Sequence, residues 1–156
     1  MKKGFYLSLL VMLCFYIMSS SCSNNDDDGG VIDNSEQIAQ VENTVESGTW
    51  RITNFIDSGE NETSDFTGYN FSFNSDGSLV ATNETDTLTG TWSVTDDSSS
   101  SDSDIDFNIF FPVPDTNDFE DLNDDWDIIT YTSTKIELID ISGGNGGTDN
   151  LTFEKN

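Results

Sequence analysis

Five aspartates, Asp96, Asp97, Asp102, Asp104 and Asp106, fall within eleven residues, and carboxylates at that density have two chemistries open to them. They can share a hard divalent cation, which prefers oxygen ligands and relieves their mutual repulsion. Opposed in pairs across a cleft, two of them could protonate a leaving group and activate a water, as glycosidases do. For the first chemistry Asp102, Asp104 and Asp106 are the candidates, but no Gly or Glu stands where a calcium loop requires one, so the run reads as a solvated loop and no metal site is expected. Asn24, Asp26, Asp28 and Gly29 imitate the start of an EF-hand loop, yet the twelfth position is Ser35 instead of Glu. For the second chemistry, the presence of 30 acidic residues removes the signal, because no motif or apolar neighbourhood marks out any pair. The chain has no histidine, which removes the His-dependent triads and the usual zinc, haem and copper ligand sets. No G-x-S-x-G elbow occurs, and the glycines of 143–147 join two strands instead of leading into a phosphate-binding helix. No catalytic residue and no cofactor are expected, and the chain reads as a non-enzyme.

The remaining reactive group is a thiol. Cys14 lies inside an apolar leader and Cys22 at its end, so the folded part holds no pair to oxidise. Lys2 and Lys3 make a basic start, and Phe5 to Met18 form a run of fourteen residues interrupted only by Ser8, the length of a signal-peptide core and short for a membrane span. Ser19-Ser20-Ser21-Cys22 resembles a bacterial lipobox, with Ser19 where Leu is usual. The resemblance implies that Cys22 is lipidated and becomes the new N-terminus, anchoring the protein to a membrane. Residues 1–21 are then a lipoprotein signal peptide, 22–34 an acidic tether too polar to order itself, and 35–156 the folded domain. The acidic run behind Cys22 resembles the export signal of Bacteroidetes lipoproteins. It implies an outer-membrane lipoprotein exposed on the cell surface, a periplasm-facing position being the alternative.

The net charge is -25, and loss of Lys2 and Lys3 with the leader leaves three cations against 30 acids, or -27. A field of that sign repels phosphate backbones and anionic headgroups, so nucleic acid is excluded as a partner.

The elements that must position any site are read from periodicity. Abundant Thr, Ser, Asn, Asp and Gly with 11 Phe, 4 Tyr and 3 Trp favour short twisted strands. Asp33 and Glu36 offer a capping box for a short helix carrying Ile38, Val41 and Val45, which ends at Gly48. From there the period becomes two: Trp50, Ile52 and Ile56 share a face, as do Tyr69, Phe71 and Phe73. Asn74 to Gly77 make a hairpin turn into Ser78–Glu84. Gly90, Trp92 and Val94 alternate with Thr91, Ser93 and Thr95, and Ile105, Phe107, Ile109 and Phe111 with Asp106, Asn108 and Phe110. In the long connection from Pro112 to Asp125, Phe119 and Leu122 could anchor one helical turn. Strands over 126–131, 135–141 and 150–155 complete about eight in simple succession. The expected fold is all-β, a single up-and-down antiparallel barrel or strongly curled meander with a short N-terminal helix.

Gly48-Thr49-Trp50 after a helix, Phe73 to Ser78 with Asp76-Gly77, Gly90-Thr91-Trp92-Ser93-Val94, Trp126 with Ile128, Lys135 to Leu138 and Leu151 to Phe153 together resemble the lipocalin-like lipoproteins of the Bacteroidetes group. The likeness spans residues 35–156 and implies a lipocalin-like barrel that takes a small apolar or amphipathic ligand.

By alternation Tyr69, Phe71, Trp92, Phe107, Ile109 and Ile128 face inward, and an eight-stranded barrel either fills with such side chains or holds one small molecule among them. These six are the candidate ligand-binding residues, with core packing the plainer role. The rival function is a solid-core surface protein that meets a protein or glycan through exposed residues such as Phe110, Ile129 and Tyr131.

Overall fold

The structure is a computed structural model and describes residues 34–96, 105–141 and 147–156. The expected signal peptide, Cys22, the tether to Asp33, and Asp97, Asp102 and Asp104 lie outside the described residues.

One helix, α1 (Ser35–Val45), precedes β1 (Trp50–Asp57), β2 (Glu60–Asn61), β3 (Asn70–Phe73), β4 (Ser78–Thr82), β5 (Thr87–Asp96), β6 (Ile105–Phe110), β7 (Asp124–Tyr131), β8 (Lys135–Ile141) and β9 (Thr148–Lys155). Every neighbouring pair is antiparallel, and β9 pairs with both β8 and β1. Strands β1 and β3 to β9 therefore close an eight-stranded up-and-down barrel, as the periodicity predicts. The two-residue β2 only doubles back on the end of β1, at Ile56–Asn61 and Asp57–Glu60.

Alternation delivers the core where strands are regular. Leu79 and Ala81 on β4, Trp92 and Val94 on β5, and Ile105, Phe107 and Ile109 on β6 are all buried. Gly90 is required in this wall, because a Cβ there would lie 2.2 Å from the Phe110 carbonyl oxygen. The hairpin at 74–77 forms as expected: the Gly77 N–H donates to the Asn74 carbonyl at 2.9 Å, and Gly77 has φ +79°.

Two expectations need correction. Ile56 does not share the inner face with Trp50 and Ile52: the register against β9 shifts between Ile52 and Asn54, and this bulge turns Phe55 into the core instead. The helix starts from Asn34, not from a capping box on Asp33, and the Asn34 side chain makes no bond to the helix. Its amide donates to the Asp96 carboxylate at 2.7 Å, tying α1 to the end of β5.

The helix covers one end of the barrel. Val41 and Val45 point into the core, and the Trp50 indole N–H donates to the Val45 carbonyl at 2.8 Å. At the other end, a 3-10 turn at Thr63–Phe66 and another at Glu120–Leu122 lay Phe66, Phe119 and Leu122 over the interior.

Candidate ligand-binding clefts

Six of the eight strand junctions are paired over four or more residues and β9 zips onto β1 from Trp50 to Ile56, but β1 meets β3 only at Trp50–Phe71. Beyond that point the strands diverge, because the chain leaves β1 through the β2 hairpin, where Ser58 and Gly59 both take positive φ. The backbone groups that β3 would have satisfied must find other partners. The Phe55 N–H donates to the Thr63 hydroxyl at 2.8 Å, and its carbonyl accepts from the Glu62 N–H at 3.1 Å. Phe66 fills the gap edge-on against Phe55, with ring centroids 5.5 Å apart.

Above this plug the wall is indented by a cleft of about 340 Å³ lined by Arg51, Ile52, Phe66, Tyr69, Asn70 and Asn156, among others. Its floor is apolar and its rim carries donors and acceptors. Arg51, half-exposed, lies 3.6 Å from Glu154 and donates to the Asn156 side chain at 3.3 Å; Asn156 in turn donates to Asn70 at 2.7 Å across the splay. Burial pushes the Tyr69 phenol upward, Asp86 and Asp118 adding to the shift against a hydrogen bond with Asn83, so the phenol stays neutral at physiological pH.

A second cleft, of about 450 Å³, lies where β7 stops short of β6. The last paired residues are Ile109 and Asp124, so Phe110 has no neighbour on that side and is 54% exposed. Thr91, Ser93 and Asn108 line the groove with it, and Asn123 and Asp124 form the far wall. Asn123 is committed to holding this wall: its side chain accepts from the Phe111 N–H at 2.5 Å and donates to the Phe111 carbonyl at 3.0 Å. Burial raises the Asp124 carboxyl to about 6, the charges of Asp140 and Asp125 adding to it and a backbone hydrogen bond from Asp125 opposing it. A third, shallow depression is lined by Glu36, Gln37, Gln40 and Tyr131.

The structure divides the six candidate ligand residues. Phe71, Trp92 and Phe107 belong to one continuous set of ring contacts: Trp92 stacks on Phe107 at 5.8 Å, both meet Phe73 edge-on, and Phe153 joins Phe73 to Phe71. Ile109 is buried beside them and Ile128 is half-buried against the core. Tyr69 alone among the six borders the β1–β3 cleft, while Trp92 and Ile109 contribute to the wall of the second. Among the described residues no group of three or more His, Cys, Asp or Glu side chains is placed to hold a metal ion. Asp106 sits on β6 opposite Asp127 and Thr95. Of the exposed trio, Tyr131 packs partly against the core, and Phe110 and Ile129 are on the order of 20 Å apart along neighbouring strands, so they form no common patch.

Arg51, Asn70, Asn156 and Phe66 escape a reading of the sequence as site residues. The one available signal is Phe66, a lone aromatic in the polar stretch 57–68.

Among solved structures the chain is similar to a DUF4847 family protein from Bacteroides vulgatus ATCC 8482, known from a crystal structure at 1.00 Å resolution, with 21% identity over 74% of this chain and 97% of that one and a TM-score of 0.47. No protein-family model matches the sequence, and no curated protein does.

Proposed function

We propose that the protein is an exported lipoprotein, anchored in the outer membrane through Cys22, whose barrel binds a small amphipathic molecule at the cleft between β1 and β3. The observation that supports this reading best is the single point of contact between those strands, Trp50–Phe71, which leaves an indentation with an apolar floor of Ile52 and Phe66 beneath a polar rim. Binding clefts combine these features, apolar walls with a few polar groups that fix orientation, and about 340 Å³ falls at the small end of their usual range. Arg51 is one of three cations outside the leader and would meet the polar head of the ligand, while the tail would follow the apolar lining of the cleft beside Tyr69.

A panel of fatty acids and lysolipids, titrated calorimetrically into the protein, tests it. At least one should bind, and Arg51→Ala and Asn70→Ala should each weaken it by about tenfold, a loss of ~1.4 kcal/mol, without lowering the melting temperature. Binding by no member of the panel, or binding indifferent to both changes, would rule the cleft out. The anchor is tested separately: Cys22→Ala should abolish labelling by an alkyne fatty acid and release the protein from the membrane fraction, and equal labelling of both proteins would sink it.

A second reading, a solid-core module that meets its partner on the outside, is favoured by the ring contacts that run through the interior from Phe71 to Trp92.

A further inference from the structure

We infer that the groove beside Phe110 is a binding site for a neutral saccharide, separate from the β1–β3 cleft. Three features carry the inference. The first is the ring itself. Phe110 stands on the outer face of the wall with half its surface in water, opposite Thr91, at the point where β6 has lost its neighbour β7. An aromatic face carries negative charge density and attracts polarised C–H groups, which the apolar face of a pyranose presents in a plane.

The second is the set of polar groups around it. Ser93 and Asn108 sit opposite each other on adjoining strands, two pairs from Thr91 and Phe110 and so on the same face, which puts hydroxyl and amide groups in the same groove as the ring. Asn108 is held in place by donating to the Thr95 hydroxyl at 2.9 Å. Because the Asn108 amide also donates to the Ser93 carbonyl at 3.4 Å, it offers a ligand its oxygen, while the Thr91 and Ser93 hydroxyls both donate and accept, a set that suits vicinal hydroxyls. The geometry is fixed before any ligand arrives, because Asn123 bridges to the Phe111 backbone at the far wall.

The third is charge. No Lys or Arg lines the groove, Asp124 does, and the chain carries -25 overall. A phosphate or carboxylate would enter with no cation to pair with and a carboxylate opposite, whereas an uncharged polyol meets hydrogen-bond partners alone. A volume of about 450 Å³ is enough for a ligand of this class.

The test uses the full-length protein in a detergent without a sugar headgroup, with saturation-transfer NMR against neutral mono- and disaccharides of glucose, galactose, mannose and N-acetylglucosamine, and against glucuronate as the anionic control. At least one neutral sugar should bind, and glucuronate should not. Phe110→Leu keeps an apolar side chain but removes the ring, and should weaken binding by about tenfold or more, while Phe110→Trp should retain it. Arg51→Ala, in the other cleft, should leave sugar binding unchanged, so failure here is distinguishable from failure of the amphipathic-ligand reading. The inference is overturned if no neutral sugar binds, if glucuronate binds better, or if Phe110→Leu binds as the parent does.

Discussion

The two ends of the barrel are sealed by different physics. At the helix end, one contiguous segment supplies the seal: Val41 and Val45 on α1, then Gly48 at φ +112°, then Trp50, whose indole is hydrogen-bonded to Val45 and lies 5.2 Å beneath the Lys155 ammonium. At the loop end, the seal is assembled from segments far apart in sequence. Phe119 touches Phe66, Tyr69 and Phe71 from one stretch of the chain and Phe111 from the end of β6, through ring contacts of 4.9–6.0 Å. The same end gathers acids. Burial, followed by the charges of Asp57 and other neighbouring carboxylates, pushes Glu62 and Asp121 upward, which marks repulsion held in check by packing. One lid is a single local segment; the other joins segments distant in sequence under electrostatic stress, with directional bonds of its own from the Trp126 indole to the Leu122 carbonyl and between Asn123 and the Phe111 backbone. The loop end should therefore open at lower free energy, and it borders the clefts in which ligands are proposed to sit.

Removing the central ring of each seal separates the two ends most strongly. Trp50→Ala should cost about 3–5 kcal/mol in urea unfolding, as large aromatic truncations in cores do, and should raise hydrogen exchange throughout the barrel. Phe119→Ala should cost less globally and concentrate its added exchange at 63–71 and 111–122. Equal global losses with equal spread would show that the two ends are one cooperative unit.

Gly48→Ala probes the helix end more gently. The left-handed backbone there is strained for any residue with a Cβ, while the contact such a carbon would make, 2.8 Å from the Lys155 side-chain Cε, is relieved by moving a flexible chain. A loss of about 1–2 kcal/mol is expected from the backbone strain alone. A loss twice that size would mean that the Lys155–Trp50 contact matters more than the turn.

The smallest effect is one of pH. Asp124 titrates near 6 in the folded protein, against its ordinary value of 3.8. Between those values the folded state keeps a proton that the unfolded chain has released, so this group's contribution to stability is fully present below the ordinary value and is lost as pH rises through about 6. The melting temperature of Asp124→Asn should therefore fall less from pH 4.5 to 7 than that of the parent, with the variant the more stable at pH 7. Parallel curves would assign the acid preference to other groups, Glu62 and Asp121 first.

Much of this was legible in the residues themselves. Strict alternation from Gly90 to Thr95 and from Ile105 to Phe111 states which face is buried, because a strand's period of two leaves no other reading once one side is apolar. The turn at Asn74–Gly77 and the helix ending before Gly48 were equally plain, being local backbone chemistry. Phe55 was not legible: the bulge that turns it inward inserts one residue between Ile52 and Asn54, and no residue type announces it. Nor were Arg51, Asn70 and Asn156, separated by up to 105 positions and joined only because β1 parts from β3 while β9 closes against β1. The eight barrel strands, the inward faces of the regular ones and the acid balance follow from periods and counts along the chain. Tertiary structure alone decided where the wall fails to pair, and so where a ligand could enter, because an unpaired strand edge depends on two segments and has no signature in either.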